Sequence, residues 1–468
     1  MRCGMSSSKS KILVALVLLT HFNLMASDVD SESLLTLQKS ITKAQENDPW
    51  LTGNQYQQDS VKSLSIAAGT YADPKVSLSI ASLPTDTFNM SQEGMTQFKI
   101  GVAQMFPRGD SLALKQKQLE LNSEQYPYQR QNRKAKIAVT VGQLWLDTYR
   151  VQNSIRLIQA DRALFEQLTD VVAASYASTL GKTRQQDVIR AQLELTMLDN
   201  RLNQLQEQKN RYEGLLSQWL TSKNFNAEQS INLHSMNVGE VLPEVMLLKE
   251  SIIISDVWLT PDKLVKHFTA HPNIMAIDKK IGASTKGIEL AKQNYEPQWA
   301  VNASYANRDD DPMGNNRADL FSVGVTFDLP LFTDNRQDQQ VSAAISQTES
   351  VKTERLIALR QFLGVYSSAK GRLKKLIDRQ SLYRTKLLPQ IQDQAEASLT
   401  AYTNDDGDFA EVVRARIAQL NAKIENLAIE TEIQKVQLTL NYLFINQADQ
   451  MLNFTKMANS NNNALGEK

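Results

Sequence analysis

Phe98-Lys99-Ile100-Gly101-Val102 and Phe321-Ser322-Val323-Gly324-Val325 are two copies of one strand, set 223 residues apart. In both, apolar side chains alternate with small or polar ones, the two-residue period of a strand whose faces differ. Phe98, Ile100, Val102 and Phe106 make one set, and Gln97, Lys99, Gly101 and Ala103 the other. Phe321, Val323, Val325, Phe327 and Leu329 repeat the apolar set opposite Ser322, Gly324, Thr326 and Asp328.

The duplication extends outward in both directions. The same shift carries Pro49, Pro74, Gly101 and Pro107 onto Pro272, Pro297, Gly324 and Pro330. Asp187-Val188-Ile189-Arg190-Ala191 answers to Glu411-Val412-Val413-Arg414-Ala415 at an offset of 224, so one net residue has changed in between. A period this long is no solenoid; it is one architectural unit used twice.

Upstream of each copy a second strand is expected. Val76, Leu78 and Ile80 alternate with small residues, as do Trp299, Val301, Ala303 and Tyr305. With polar loops at 84–94 and 308–317, each repeat contributes one antiparallel hairpin of strands about 10 residues long. Short helical stretches precede them, broken at Asp48-Pro49 and His271-Pro272 and ending at Asp73-Pro74 and Glu296-Pro297, because proline lacks an amide donor and turns the residue before it away from helix.

Downstream lies a very long helix in each copy. One runs from Asp110 to about Ser178 with a kink expected at Tyr126-Pro127-Tyr128; the other runs from Asp338 to Tyr402 with Pro389 as its single proline. Sixty-five to seventy residues would reach about 100 Å. Glycine then marks a turn, Leu180-Gly181-Lys182 or Asp406-Gly407-Asp408, and a return helix follows. Val188, Ala191, Leu195, Leu198, Leu202 and Leu205 space a heptad seam along the first return helix, with Lys209 as its gap. The second return helix carries two stripes, one through Val413, Ile417 and Leu420 and one through Ile429, Ile433 and Val436, which predicts neighbours on two sides.

The domain plan is therefore a secretory signal at 1–26, repeat one at 27–220, a linker at 221–262, repeat two at 263–446 and an Asn-rich, mobile tail at 447–468. The signal reading rests on basic Arg2, Lys9 and Lys11, an apolar run from Ile12 to Leu19 and Ala26 as a cleavage residue. Cys3, the sole cysteine, falls inside it, so the mature chain is expected to have neither disulfide nor thiol. Losing three basic residues takes Lys plus Arg from 51 to 48 against 51 acids, a balance that gives no support to nucleic-acid binding. Outside the leader no stretch is apolar enough for a membrane helix.

Four short strands leave two edges that would pair with other chains. Strands of this length, apolar on one face, match a lipid-facing barrel, yet four cannot close around a lumen. Three chains would supply twelve. Amphipathic hairpins capping a soluble coiled coil are the alternative.

In this layout the chain resembles the TolC family of outer-membrane efflux channels. The resemblance is carried by the duplicated order, by Pro74 and Pro297 before the strands, by the strand ends Gln104-Met105-Phe106-Pro107 and Asp328-Leu329-Pro330, and by the turn segments Tyr176 to Gln192 and Tyr402 to Arg416. It implies an α+β membrane protein with four transmembrane strands per chain, a twelve-stranded barrel as a homotrimer, and antiparallel helices forming a periplasmic tunnel. It also implies outer-membrane lipid around the barrel and docking to a periplasmic adaptor and an inner-membrane transporter, including transporters of the RND type, for drug or heavy-metal export. No cofactor is implied; type I protein secretion is the alternative role. Leu180, Gly181, Lys182 and Gly407 are placed at adaptor-docking turns and Pro74, Pro107, Pro297 and Pro330 at helix–strand junctions. A ring of acids narrows the entrance of similar channels just after the second turn; Glu411 and its counterpart Asp187 match that position, and Asp405, Asp406 and Asp408 are the alternative source of charge. Arg414 departs from the pattern of relatives with a second acid there.

Other chemistry is sparse. His267 and His271 share the i, i+4 spacing of metal pairs, with His234 the third histidine of the mature chain, but no glutamate accompanies them in the zincin manner and His271 precedes a proline. No phosphate loop or nucleophile elbow occurs. Met90, Met95, Met105 and Met313 lie in or beside the strand loops, where Cu(I) could touch them.

Overall fold

The computed structural model describes residues 34–177, 184–222, 238–239, 241–404 and 406–446, with the backbone of Thr455–Lys456. The leader, Leu180, Gly181, Lys182, His234 and Asp405 lie outside the described residues. Repeat one consists of α1 (Leu37–Asn47), α2 (Pro49–Ala68), β1 (Lys75–Ala81), β2 (Gln97–Met105), α3 (Ser111–Ser123), α4 (Gln125–Ala177) and α5 (Gln185–Leu220). After β3 (Glu244–Val245) and α6 (Glu250–Ile253), the order recurs as α7 (Pro261–Phe268), α8 (Pro272–Lys292), β4 (Trp299–Asn307), β5 (Leu320–Phe327), α9 (Gln337–Leu382), α10 (Leu388–Thr403) and α11 (Phe409–Leu443), followed by β6 (Thr455–Lys456).

Prolines punctuate the helices by two mechanisms. Pro49 and Pro272 open α2 and α8, where the missing amide would have had no partner. Asp48 and His271 cap those helices, accepting from Trp50 N at 3.2 Å and from Asn273 N at 3.1 Å. The break expected at Tyr126-Pro127-Tyr128 falls earlier, at Glu124 between α3 and α4. The Pro127 ring would collide with the carbonyl of Ser123, so α3 stops there and Pro127 is accommodated in the first turn of α4. Pro389 leaves its helix continuous instead. A π turn at Tyr383–Leu387 widens the ladder just before it, with Leu388 N reaching Tyr383 O, and so absorbs the amide that Pro389 lacks.

The helices pack side by side in two tiers. Near the sheet the neighbours run α2, α3, α8, α9; towards the turns they run α5, α4, α11 and α9–α10. At 53 residues, α4 spans about 80 Å. The seam of α5 packs as its spacing predicts: Ala191, Leu198 and Leu205 are buried against Val151, Ile158, Phe165 and the first stripe of α11. The second stripe of α11, Ile429, Ile433, Val436 and Leu440, packs instead against Leu359, Phe362, Tyr366 and Leu373 of α9. Lys209, the gap in the seam, pairs with Glu213 at 3.1 Å.

Between the repeats, the linker is clasped to the helices. Asn441 donates to Met246 O (2.7 Å) and accepts from Leu248 N (2.9 Å). The buried Lys370 of α9 donates to Ile252 O (3.0 Å) and Val257 O (3.2 Å) beneath the Trp258 ring, and burial lowers the proton affinity of its amine. The backbone of Thr455–Lys456, within the tail expected to be mobile, pairs with Glu244–Val245.

Candidate functional site

The four long strands form one antiparallel sheet in the order β1-β2-β4-β5, so the hairpins of the two repeats join through β2 and β4. Register fixes which side chains share a face. Val76 stands opposite Val102, Leu78 opposite Ile100 and Ile80 opposite Phe98; Ile100 faces Tyr305 and Val102 faces Ala303; Val301 faces Val325 and Tyr305 faces Phe321. The apolar sets of all four strands therefore lie on one face. The middle row of the other face is Ser77, Gly101, Ser304 and Ser322.

Burial is inverted along the two inner strands, β2 and β4, while the outer strands are open on both faces. Ser304 is 8% exposed and Ala306 4%, with Gly101 buried beside them, whereas Val76 (68%), Leu78 (67%), Phe321 (71%) and Val323 (64%) are open. A sheet folded for water covers its apolar face. Small residues on the crowded face let it curve: a Cβ at Gly101 would lie 2.7 Å from Ser77 Oγ, and one at Gly324 would lie 2.9 Å from Asn302 Oδ1. Aromatic rings gather at both ends of the apolar face. The Trp299 and Phe327 rings lie 4.7 Å apart, tilted by 33°, and Tyr71 meets Phe106 edge-on, at the helix end. Phe98, Tyr305 and Phe321 occupy the loop end. Six residues along β4 separate Trp299 from Tyr305, about 20 Å of strand.

Pro107 and Pro330 follow β2 and β5, and Pro74 and Pro297 precede β1 and β4. Around them a charged clasp joins the repeats. Arg108 donates to Glu296 O (2.7 Å) and pairs with Asp328, whose other oxygen accepts from Gln298 N at 2.6 Å. Those donors hold the Asp328 carboxyl below the usual range, the Gln298 amide first and the Arg108 guanidinium next. Gly109 takes a φ of +42° where the Gln293 amide oxygen leaves no room for a side chain, and Asp110 N donates to that oxygen at 2.9 Å.

At the opposite end, Gly407 sits against the end of α10: a Cβ there would lie 2.7 Å from Tyr402 N and 2.9 Å from the carbonyl carbon of Ala401. Asp406 is exposed and its amide donates to Ala401 O at 2.9 Å. Asp408 caps α11, accepting from Ala410 N at 3.1 Å. Glu411 is exposed and pairs with Arg414 at 2.7 Å. Its counterpart Asp187 is buried, accepting from Arg184 N at 3.0 Å at the start of α5. The two matched acids thus differ in setting, a distinction invisible to sequence spacing. His271 engages both ring nitrogens within the fold, and His267 meets Phe444 edge-on. Among the described residues no three His, Cys, Asp or Glu are placed to share a metal, and no helix is long and apolar enough to cross a membrane.

No family model matches the sequence, and no curated protein matches it either. Solved structures do. A membrane protein from Pseudomonas aeruginosa aligns with a TM-score of 0.71 at 13% identity, over 89% of this chain and 94% of that one. The Campylobacter jejuni CmeC outer membrane channel gives 0.69 at 12%, over 87% and 85%. The outer membrane protein VceC from Vibrio cholerae gives 0.68 at 13%, over 87% and 96%. The chain therefore has the fold of these outer-membrane channel proteins, the TolC-type architecture that its duplicated strands and helices resemble. At such identities the likeness is one of fold.

Proposed function

We propose that three copies of this chain assemble in the outer membrane of a Gram-negative cell into a channel, the exit duct of a tripartite efflux pump. The observation that carries this reading is the inverted sheet: Gly101, Ser304 and Ala306 are covered while Val76, Leu78 and Val323 are bare. Lipid is the solvent in which that arrangement is stable, and the aromatic rows at the two ends of the bare face fit the two interfaces of a bilayer. Each chain supplies four strands and two open edges, β1 and β5, so twelve strands would close a lumen wide enough for solutes. The helical tiers continue the wall as a periplasmic tunnel, and the Gly407 turn and its counterpart in repeat one meet a periplasmic adaptor. The protein acts as a passive conduit without catalysis, and an inner-membrane transporter, which supplies energy, also selects drug or metal-ion cargo.

Around the tunnel's narrow end, Glu411, Asp406 and Asp408 from three copies form a ring of negative charge. Recording in planar bilayers tests both levels of the reading. The purified protein should extract only with detergent and should conduct, and Glu411→Ala combined with Asp408→Asn, which keeps the helix cap, should raise single-channel conductance. A protein released by salt that forms no pores would overturn the channel; unchanged conductance in the double variant would remove these acids from the constriction.

A further inference from the structure

The face of the sheet opposite the bare apolar one carries exactly one kind of charge. Lys99 stands in register between Ser79 of β1 and Ala306 of β4, and Lys75 lies four residues nearer the helices, opposite Ala103. The strand positions that share their face are otherwise uncharged: small residues and asparagine, with Gln97, Met105 and Leu320 towards the strand ends. No carboxylate within 4 Å pairs with either lysine among the described residues. The acids at the strand ends are already engaged: Asp328 by Arg108, and Asp319 by the Tyr305 hydroxyl, Asn307 Nδ2 (3.0 Å) and Arg308 N (3.1 Å).

We infer that Lys99, with Lys75 below it, makes the barrel section of the conduit attract anions, so that this stretch of wall passes anionic solutes in preference to cations. The inference rests on the trimeric channel proposed above. In that assembly the small-residue face lines the lumen, and three copies bring six ammonium groups into it with no acid beside them. Water-filled passages with low-dielectric walls focus such fields, because field lines cannot spread into lipid. Serine, alanine and glycine neighbours leave the lysines free to reach inward. The two ends of the conduit then bear opposite charge: basic in the barrel, and acidic at the turns, where Asp406, Asp408 and Glu411 cluster in sequence.

The absence of any cysteine but Cys3 allows a clean test on one assembled protein. Lys99→Cys channels in planar bilayers under a potassium chloride gradient are treated with methanethiosulfonates carrying either trimethylammonium or sulfonate. The substitution should lower the chloride-to-potassium permeability ratio about twofold. The trimethylammonium adduct should restore the ratio and the sulfonate adduct should lower it further. A conducting channel whose ratio ignores the charge at this position would overturn the inference and leave the channel standing. A thiol that reacts with membrane-permeant reagents alone would do the same, by placing position 99 against lipid. If the unsubstituted protein never conducts, the channel itself fails and this inference falls with it.

Discussion

The Nε2 atom of His271 lies 2.9 Å from the carbonyl oxygen of Tyr442, while Nδ1 accepts from Asn273 N at 3.1 Å. The ring is fully buried and uses its donor and its acceptor once each, so the neutral tautomer with hydrogen on Nε2 is the one that fits. Burial lowers its pKa from 6.5 to about 4; the Tyr442 carbonyl opposes this, and Lys136 on α4 adds to it. Because the folded value lies below the unfolded one, the unfolded chain binds the extra proton between these limits. Stability from this group is complete above about pH 6.5 and lost as pH falls towards about 4, by about 3 kcal/mol. Thermal melting of the wild type and His271→Asn across that range checks it: the variant, able to cap α8 though too short to reach the Tyr442 carbonyl, should be less stable overall and should lose the extra slope. Equal slopes would assign the acid sensitivity elsewhere.

Neighbouring residues on β5 separate the two faces. Val323→Arg places a cation on the bare apolar face and should cost about 2–4 kcal/mol at bilayer depth, abolishing the heat-resistant assembled form on gels. Ser322→Arg, one residue away on the other face, should assemble. Two equally tolerated substitutions would mean that lipid does not cover this face.

Charges on α11 are sorted by neighbour. Glu425 and Glu432 pair with Arg379 and Arg372 of α9, at 2.7 and 2.5 Å, and Glu430 pairs with Arg384 of the π turn that follows it, at 2.6 Å. Lys435 reaches Asp147 of α4 at 3.0 Å while also meeting Glu432 on its own helix at 2.9 Å. The Arg379–Glu425 pair is exposed on both sides, so Arg379→Glu should cost less than about 1 kcal/mol and the swap with Glu425→Arg should recover it. Lys435→Met, in a largely covered site, leaves Asp147 with only Arg150 at 4.0 Å and should cost more, about 3 kcal/mol. Denaturant titration of the assembled protein orders the two; a larger loss for Arg379→Glu would contradict the assignment.

The Gly407 turn admits no side chain. Backbone atoms of Ala401 and Tyr402 occupy the space a Cβ would need, and backbone cannot swing aside as a lysine tip could. Gly407→Val should open the α10–α11 turn at a cost of about 1–3 kcal/mol. Amide exchange should rise over residues 400–412 and stay unchanged in α3 and α8. Uniform exchange would show that the turn tolerates the branch.

Much of this architecture is legible in the sequence because the marks that betray it are local. Alternation at Phe98–Val102 and Phe321–Val325 gives the strands their faces, and the three-four spacing through Ala191, Leu198 and Leu205 gives α5 its buried seam. Pairings between distant segments leave no such trace: nothing in the chain announces that β2 joins β4, or that Arg108 reaches Asp328. Proline announced a kink near 127, which fell earlier as a break, and the helix read straight through Pro389 stays continuous only by widening into a π turn. The acids were the least legible. Asp187 and Glu411 occupy matched positions, yet one is buried at the start of α5 and the other is solvent-facing beside Arg414, a difference decided by packing around each turn.

Closure between copies is the claim on which the channel depends, and the edges β1 and β5 are where it is most directly measured. Within one sheet these strands stand three spacings apart, about 14 Å, too far for a disulfide. Cysteine pairs scanned along Lys75–Ala81 and Leu320–Phe327 should, on oxidation in the membrane, link β1 of one copy to β5 of the next and end in a covalent band of three chains. Chains that stay single across the whole scan, or a ladder that climbs past three, would contradict the account.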